Sequence, residues 1–160
     1  MSGTLYLLRH AKAGSAAAGR GDHDRELTVR GRREAAALGA RYAGGGELPD
    51  LVISSTAVRA VQTAELWARA AGLPARVIVR CGGIYLAEPE AVLRLVHGLD
   101  EALQRVLLVG HNPTFSELAT GLSRRFIALP TCAMAVLGID GAWPDAGAAT
   151  ARLLRIDRGR

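Results

Sequence analysis

The sequence predicts a three-layer α/β/α sandwich with a mainly parallel central sheet and an antiparallel C-terminal hairpin. Three observations carry this expectation. Short apolar runs such as Leu5-Tyr6-Leu7-Leu8 and Val106-Leu107-Leu108-Val109 lack polar alternation, as strands covered on both faces do. Segments with helical spacing follow most of these runs, which is the pattern of strand-helix-strand units. The last two apolar segments meet across a turn-rich stretch with no helix between them, and so read as a hairpin.

Each element has its own signal. Thr4–Arg9 is the first strand, and Arg30–Tyr42 sets Ala35, Ala36, Leu38 and Ala40 among charged residues as a helix stopped by Gly44-Gly45-Gly46. Asp50–Ser54 is a strand, and Thr56–Ala71 a helix closed by Gly72. Arg76–Arg80 reads as a short strand, and Ile84-Tyr85-Leu86 is strand-like in composition. Pro89–Gly98 is a helix that begins with proline. Glu101–Arg105 supplies a turn before the strand Val106–Gly110, and Thr114–Gly121 is the next helix. Cys132–Ile139 and Ala149–Ile156 are the final strands, joined by the turn-rich segment from Asp140 to Gly147.

Ligands of an open, mainly parallel sheet bind outside the carboxyl ends of its strands. Arg9-His10 closes the first strand, and His111 closes the Val106 run, with Asn112-Pro113 turning the chain toward a helix. At a third junction, Leu51-Val52-Ile53 runs through Ser54-Ser55-Thr56 into a helix with Arg59 in its first turn. A cation there opposes the helix dipole, so an anionic ligand accounts for it better than helix stability does. One strand-end histidine is ordinarily structural. Two histidines and two arginines at the ends of three strands describe a crevice suited to phosphate.

Those same residues carry a family resemblance. Arg9-His10, Ser54-Ser55 followed by Arg59 and Thr63, and Gly110-His111-Asn112-Pro113 resemble the histidine phosphatase (phosphoglycerate-mutase-like) superfamily. The short chain, Arg9-His10-Ala11-Lys12, the Asp22-His23-Asp24-Arg25-Glu26-Leu27-Thr28 segment with Gly31, and Pro130-Thr131 before a late strand are similar to SixA-type phosphohistidine phosphatases. The resemblance runs from about Leu5 to Arg155. It implies a phosphoglycerate-mutase-like fold, with the Asp22 segment beside the pocket, Arg25 lining it and Asn112 touching substrate.

A phosphoryl group in transfer spreads charge over its equatorial oxygens, so it needs fixed cationic donors and a nucleophile in line. Arg9 and Arg59 are the candidate oxygen ligands, His111 a further donor, and His10 the nucleophile. Neighbouring arginines favour neutral His10, with one ring nitrogen free to attack and the other held by a backbone carbonyl or a carboxylate. Water then hydrolyses the phosphohistidine intermediate. Glu88 is the candidate general acid, although Glu88-Pro89-Glu90 reads more readily as a helix start. SixA-type proteins tend to lack a strong acid. Phosphohistidine offers a reason, because its P–N bond is labile and the imidazole can take its own proton.

Composition excludes several classes. The length of 160 residues fits one domain over 1–160, and no apolar stretch approaches a membrane span. The net charge of +5 comes from scattered arginines with only 4% aromatic residues, so no nucleic-acid partner is expected. Cys81 and Cys132 read as free thiols, and a cytoplasmic location is the default. Neither cysteine is followed six residues later by the arginine a cysteine phosphatase needs, since Ala87 and Gly138 stand there. Gly44-Gly45-Gly46 leads into Glu47-Leu48-Pro49 rather than a Walker lysine. His23 and His97 lack metal-pair spacing, so neither metal nor cofactor is expected. The reading is a metal-independent phosphohydrolase that takes a phosphohistidine-bearing protein or a small phosphorylated molecule, with no membrane partner. A small-molecule phosphomonoesterase and a phosphate- or phosphoprotein-binding module are the alternatives. The oligomeric state stays open.

Overall fold

The computed structural model describes residues 3–160. Six strands form one sheet: β1 (Thr4–Arg9), β2 (Leu51–Ser55), β3 (Ile78–Cys81), β4 (Arg105–Gly110), β5 (Ala133–Ile139) and β6 (Ala151–Arg158). Their order is β3-β2-β4-β1-β5-β6, parallel from β3 through β1, with β5 antiparallel to both β1 and β6. The expected hairpin is β5–β6. The helices are α1 (Val29–Ala40), α2 (Val58–Ala71), α3 (Pro89–His97) and α4 (Thr114–Ser123).

The apolar runs show why helices lie on both faces. Side chains alternate across a strand, so Leu5 and Leu7 join Val106, Leu108 and Phe115 in the core under α3 and α4. Tyr6 and Leu8 point the other way and join Leu107, Val109 and Trp67 in the core under α1 and α2. The central strands β1, β2, β4 and β5 therefore serve two cores, which is why they carry no polar alternation.

Local chemistry moves some boundaries from their predicted places. α1 ends at Ala40 because Tyr42 and Ala43 bond back to Gly39 and Ala40, tightening the last turn, while the Tyr42 ring turns inward. α2 starts at Val58, after Ser55 Oγ accepts the Ala57 N–H at 3.2 Å. The strand-like Ile84-Tyr85-Leu86 is not a strand. It leaves a 3-10 turn (Gly82–Ile84), and Leu86 takes a left-handed φ of 57°. Gly39 has a specific role, since a Cβ there would fall inside the Trp67 carbonyl, so its bareness lets α1 and α2 approach closely.

Candidate active site

The carboxyl ends of β1, β2 and β4 lie side by side, and their register brings Arg9 opposite Gly110. His10 continues the pairing through its N–H to the Gly110 carbonyl at 3.0 Å, and its own carbonyl accepts from Cys132 at 3.1 Å. The two histidine rings stand 5.3 Å apart between centroids. Arg59 projects from the first turn of α2, and its Nε reaches His10 Nε2 at 3.3 Å. The structure thus brings together Arg9, His10, Arg59 and His111.

His10 has its tautomer fixed by two partners that each have one role. The Ala11 carbonyl can only accept, so Nδ1, at 2.8 Å, carries the proton. The Arg59 Nε–H can only donate, so Nε2 presents its lone pair. Burial, followed by the charges of His111, Arg59 and Arg9, pushes the His10 pKa down to about 3. Burial is the larger cause, where the residue pattern alone had pointed to the arginines.

His111 Nε2 sits 2.8 Å from Ser55 Oγ, which already accepts from Ala57. The Ser55 hydroxyl proton has no other acceptor among the described residues, so donating it to His111 Nε2 is the arrangement that satisfies both groups. His111 then holds its own proton on Nδ1, a buried atom with no partner. Burial and the nearby Arg59 charge lower its pKa to about 4. Arg9 Nη1 donates to the Leu129 carbonyl at 3.0 Å, and Arg9 Nε is likewise buried and unpartnered. Arg9 Nε and His111 Nδ1 are thus the unpartnered buried donors of the cluster, beside a His10 Nε2 lone pair that Arg59 holds.

Asp22 sits over this cluster on a 3-10 turn (Asp22–Asp24). Its carbonyl accepts from Arg59 Nη1 at 2.8 Å, and its Oδ2 from Arg59 Nη2 at 3.1 Å and Tyr85 OH at 2.8 Å. Its Oδ1 accepts from Arg25 Nη1 at 3.0 Å. The Tyr85 hydroxyl, then Arg25 and Arg59, hold its carboxyl well below the usual range.

The remaining expected residues fall in the surroundings. Arg25 braces Asp22 and donates through Nε to the Gly14 carbonyl, so it supports the loop above the cluster. Asn112 donates one amide N–H to the Leu129 carbonyl at 2.7 Å and accepts from the backbone and hydroxyl of Ser116, so it braces the segment that also holds Arg9. Glu88 is the exposed N-cap of α3 and makes no side-chain cap bond, in keeping with its helix-start reading. Among the described residues, no group of three or more His, Cys, Asp or Glu side chains could hold a metal ion. No described helix is long and apolar enough to cross a membrane.

Residues 5–80 match the model of the histidine phosphatase superfamily (branch 1). An uncharacterized protein of Mycobacterium tuberculosis is 36% identical over 149 residues, covering 86% of this chain and 90% of that one. A structure assigned to the phosphohistidine phosphatase SixA of Nakamurella multipartitia superposes with a TM-score of 0.85 at 31% identity, covering 98% of this chain and 96% of that one. One assigned to SixA of Agrobacterium tumefaciens gives 0.81 at 34% identity and 97% coverage of each. The chain is a SixA-type member of the histidine phosphatase superfamily.

The phosphatase site depends on residues to which the sequence reading gave no role. Thr63 is buried in α2, accepts the Ala11 N–H at 3.0 Å and donates to the Arg59 carbonyl at 2.7 Å. It ties the peptide that holds His10 to the helix that carries Arg59. Ser55 and Thr63 both belong to the motif that carried the resemblance. Polar side chains in a junction otherwise made of apolar residues were the available signal. Tyr85 had no such signal, because its approach to Asp22 depends on the turn that replaces the expected strand. His23 is half-exposed, with its ring edge-on to Tyr85 and Nε2 3.0 Å from Thr56 Oγ1.

Proposed function

We propose that this phosphatase hydrolyses phosphohistidine borne on a protein, with His10 as nucleophile and Arg9, Arg59 and His111 as the phosphoryl cradle. The observation that carries the substrate class is the state of Asp22. Among the described residues it is the carboxylate bonded to a cradle side chain, and three donors hold it ionised. An ionised carboxylate is a poor proton donor at neutral pH, so a phosphomonoester would leave as an unassisted alkoxide. Phosphohistidine avoids this need, because the other nitrogen of its ring is basic enough to take up a proton from water near neutral pH, so the group departs as neutral imidazole.

The lone pair of His10 Nε2 forms the new N–P bond as the P–N bond to the substrate imidazole breaks, and that imidazole departs neutral. The Ala11 carbonyl keeps Nδ1–H in place and stabilises the charge developing on the His10 ring. Arg9, Arg59 and His111 donate to the equatorial oxygens. Water then attacks phosphorus, Nε2 recovers its lone pair, and inorganic phosphate leaves. Two exposed side chains support a protein-borne substrate. Leu86, 82% exposed, follows Tyr85, and Phe126, 89% exposed, lies in the segment whose Leu129 carbonyl holds Arg9.

The test is turnover in chelator of a phosphohistidine-bearing phosphotransfer domain beside an aryl phosphate, with wild-type and His10→Ala protein. Fast loss of phosphohistidine and slow aryl hydrolysis, both abolished by the substitution, are expected. Turnover of small phosphates alone would move the assignment to a phosphomonoesterase. Activity that survives without His10 would overturn the covalent mechanism.

A further inference from the structure

The outer edge of Arg59 is already occupied. Its Nη1 and Nη2 both donate to Asp22, one to the carbonyl and one to the carboxylate, while Nε donates to the lone pair of His10 Nε2. The cation meant for a phosphoryl group and the lone pair meant for phosphorus are therefore both engaged inside the protein. For Nε2 to attack, Arg59 Nε must release it and turn to an oxygen of the incoming group. That motion pulls the same guanidinium away from Asp22. A phosphoryl dianion arriving beside Arg59 also meets the Asp22 carboxylate as a like charge.

We propose that Asp22 is a resident anion that latches Arg59 while the site is empty and must give way to the phosphoryl group. The latch has a defined support. Arg25 and Tyr85 hold the two carboxylate oxygens, and the Arg25 Nε bond to Gly14 anchors that arm to the loop after β1. The ring of His23, in the same turn, packs on Tyr85 with centroids 4.7 Å apart. Asp22 itself is half-exposed, so the carboxylate can swing to water without opening the core. The donors that hold Asp22 also keep it ionised, so it meets the substrate as a competing charge. The inner donors, Arg9 Nε and His111 Nδ1, stay open. A phosphoryl group first engages these and then takes Arg59 from Asp22. Inorganic phosphate, held by the same groups after hydrolysis, is displaced as the carboxylate returns.

This inference rests on the assignment of the cradle, and its test is a binding measurement that needs no phosphohistidine substrate. Affinity for inorganic phosphate and for tungstate is measured by calorimetry with wild-type, Asp22→Asn and Tyr85→Phe proteins, alongside kcat on aryl phosphates of graded leaving-group pKa. Asparagine keeps the shape and removes the charge. Affinity for both anions is expected to rise about tenfold or more in Asp22→Asn. A smaller rise in the same direction is expected for Tyr85→Phe, which loosens the latch. Unchanged or weaker anion binding in Asp22→Asn would overturn the latch. So would a fall in kcat that steepens with leaving-group pKa, because Asp22 would then be a proton donor. Failure to turn over phosphohistidine would count against the substrate class and leave these anion affinities readable.

Discussion

Replacing Thr63 by valine keeps a buried, β-branched side chain of nearly the same volume and deletes one hydroxyl. That hydroxyl accepts from the Ala11 N–H and donates to the Arg59 carbonyl, and Ala11 and Thr63 are both fully buried. Valine leaves the Ala11 N–H without a partner and out of reach of water, at a cost of about 1–3 kcal/mol. For a chain of this size, roughly 2 kcal/mol lowers Tm by about 4–8 °C. The same residue carries, in its next peptide, the carbonyl that holds His10 Nδ1–H, so the loosening of Ala11 displaces Nε2 from line. Misplacement of about 1 Å can slow phosphoryl transfer by about a hundredfold, and a loss of about ten- to a hundredfold is expected. Thermal unfolding and rapid-quench phosphorylation of His10 read the two effects. Thr63→Ser, which keeps the hydroxyl and loses a methyl, should lose stability but keep its phosphorylation rate close to wild type. Equal phosphorylation rates in the valine and serine variants would refute the reasoning.

Ser55→Ala removes the hydroxyl that sets the His111 tautomer, so kcat on phosphohistidine should fall by about tenfold. Nitrogen NMR of the His111 ring should show the proton leaving Nδ1, and an unchanged tautomer would dispose of that role. Stability should also depend on pH through the two histidines. Their folded pKa values, about 3 for His10 and about 4 for His111, lie below the ordinary 6.5, so the unfolded chain takes up protons that the folded chain refuses. Stability is then full above about pH 6.5 and falls as pH drops toward 4. Asp22, held below its ordinary 3.8, loses its own contribution only at lower pH. Denaturant midpoints measured against pH should show this slope in wild type and a shallower one in His10→Gln. Identical slopes would remove His10 as its source.

Much of the fold was legible because the central strands are buried on both faces. Leu5 and Leu7 serve one core and Tyr6 and Leu8 the other, so the run reads as a central strand without knowledge of its neighbours. Gly72 and Pro89 marked a helix end and a helix start for local steric reasons, and both stand where expected. Ile84-Tyr85-Leu86 misled because β-propensity reflects fit to a half-buried pleated surface. Only Ile84 of the three is buried, and the segment serves a turn. The clustering of Arg9, His10, Arg59 and His111 was legible because each ends a strand or begins a helix at the same edge of the sheet. The bracing was not. Thr63 reaches Ala11 across 52 positions and Tyr85 reaches Asp22 across 63, so neither pairing leaves a local spacing to read.

The site divides its donors into two groups with different fates in the empty enzyme. Arg9 Nε and His111 Nδ1 are buried without partners, a condition that costs about 1–3 kcal/mol for the neutral imidazole and more for the charged guanidinium, and that folded proteins rarely tolerate. Rotating either side chain to satisfy these atoms would break the bonds that aim it, from Arg9 to Leu129 and between His111 and Ser55. The open donors are thus a consequence of rigid aiming, and a tetrahedral anion is the ligand that would relieve both. Arg59 is handled differently because its guanidinium lies further out, where a loop carboxylate can reach it. Left alone, it would hold His10 Nε2 through Nε and offer two charged donors to any passing anion. Paired with Asp22, it favours the ligand that can satisfy the inner donors first. A phosphoryl group placed on His10 meets that condition. A carboxylate that touches only the outer edge does not.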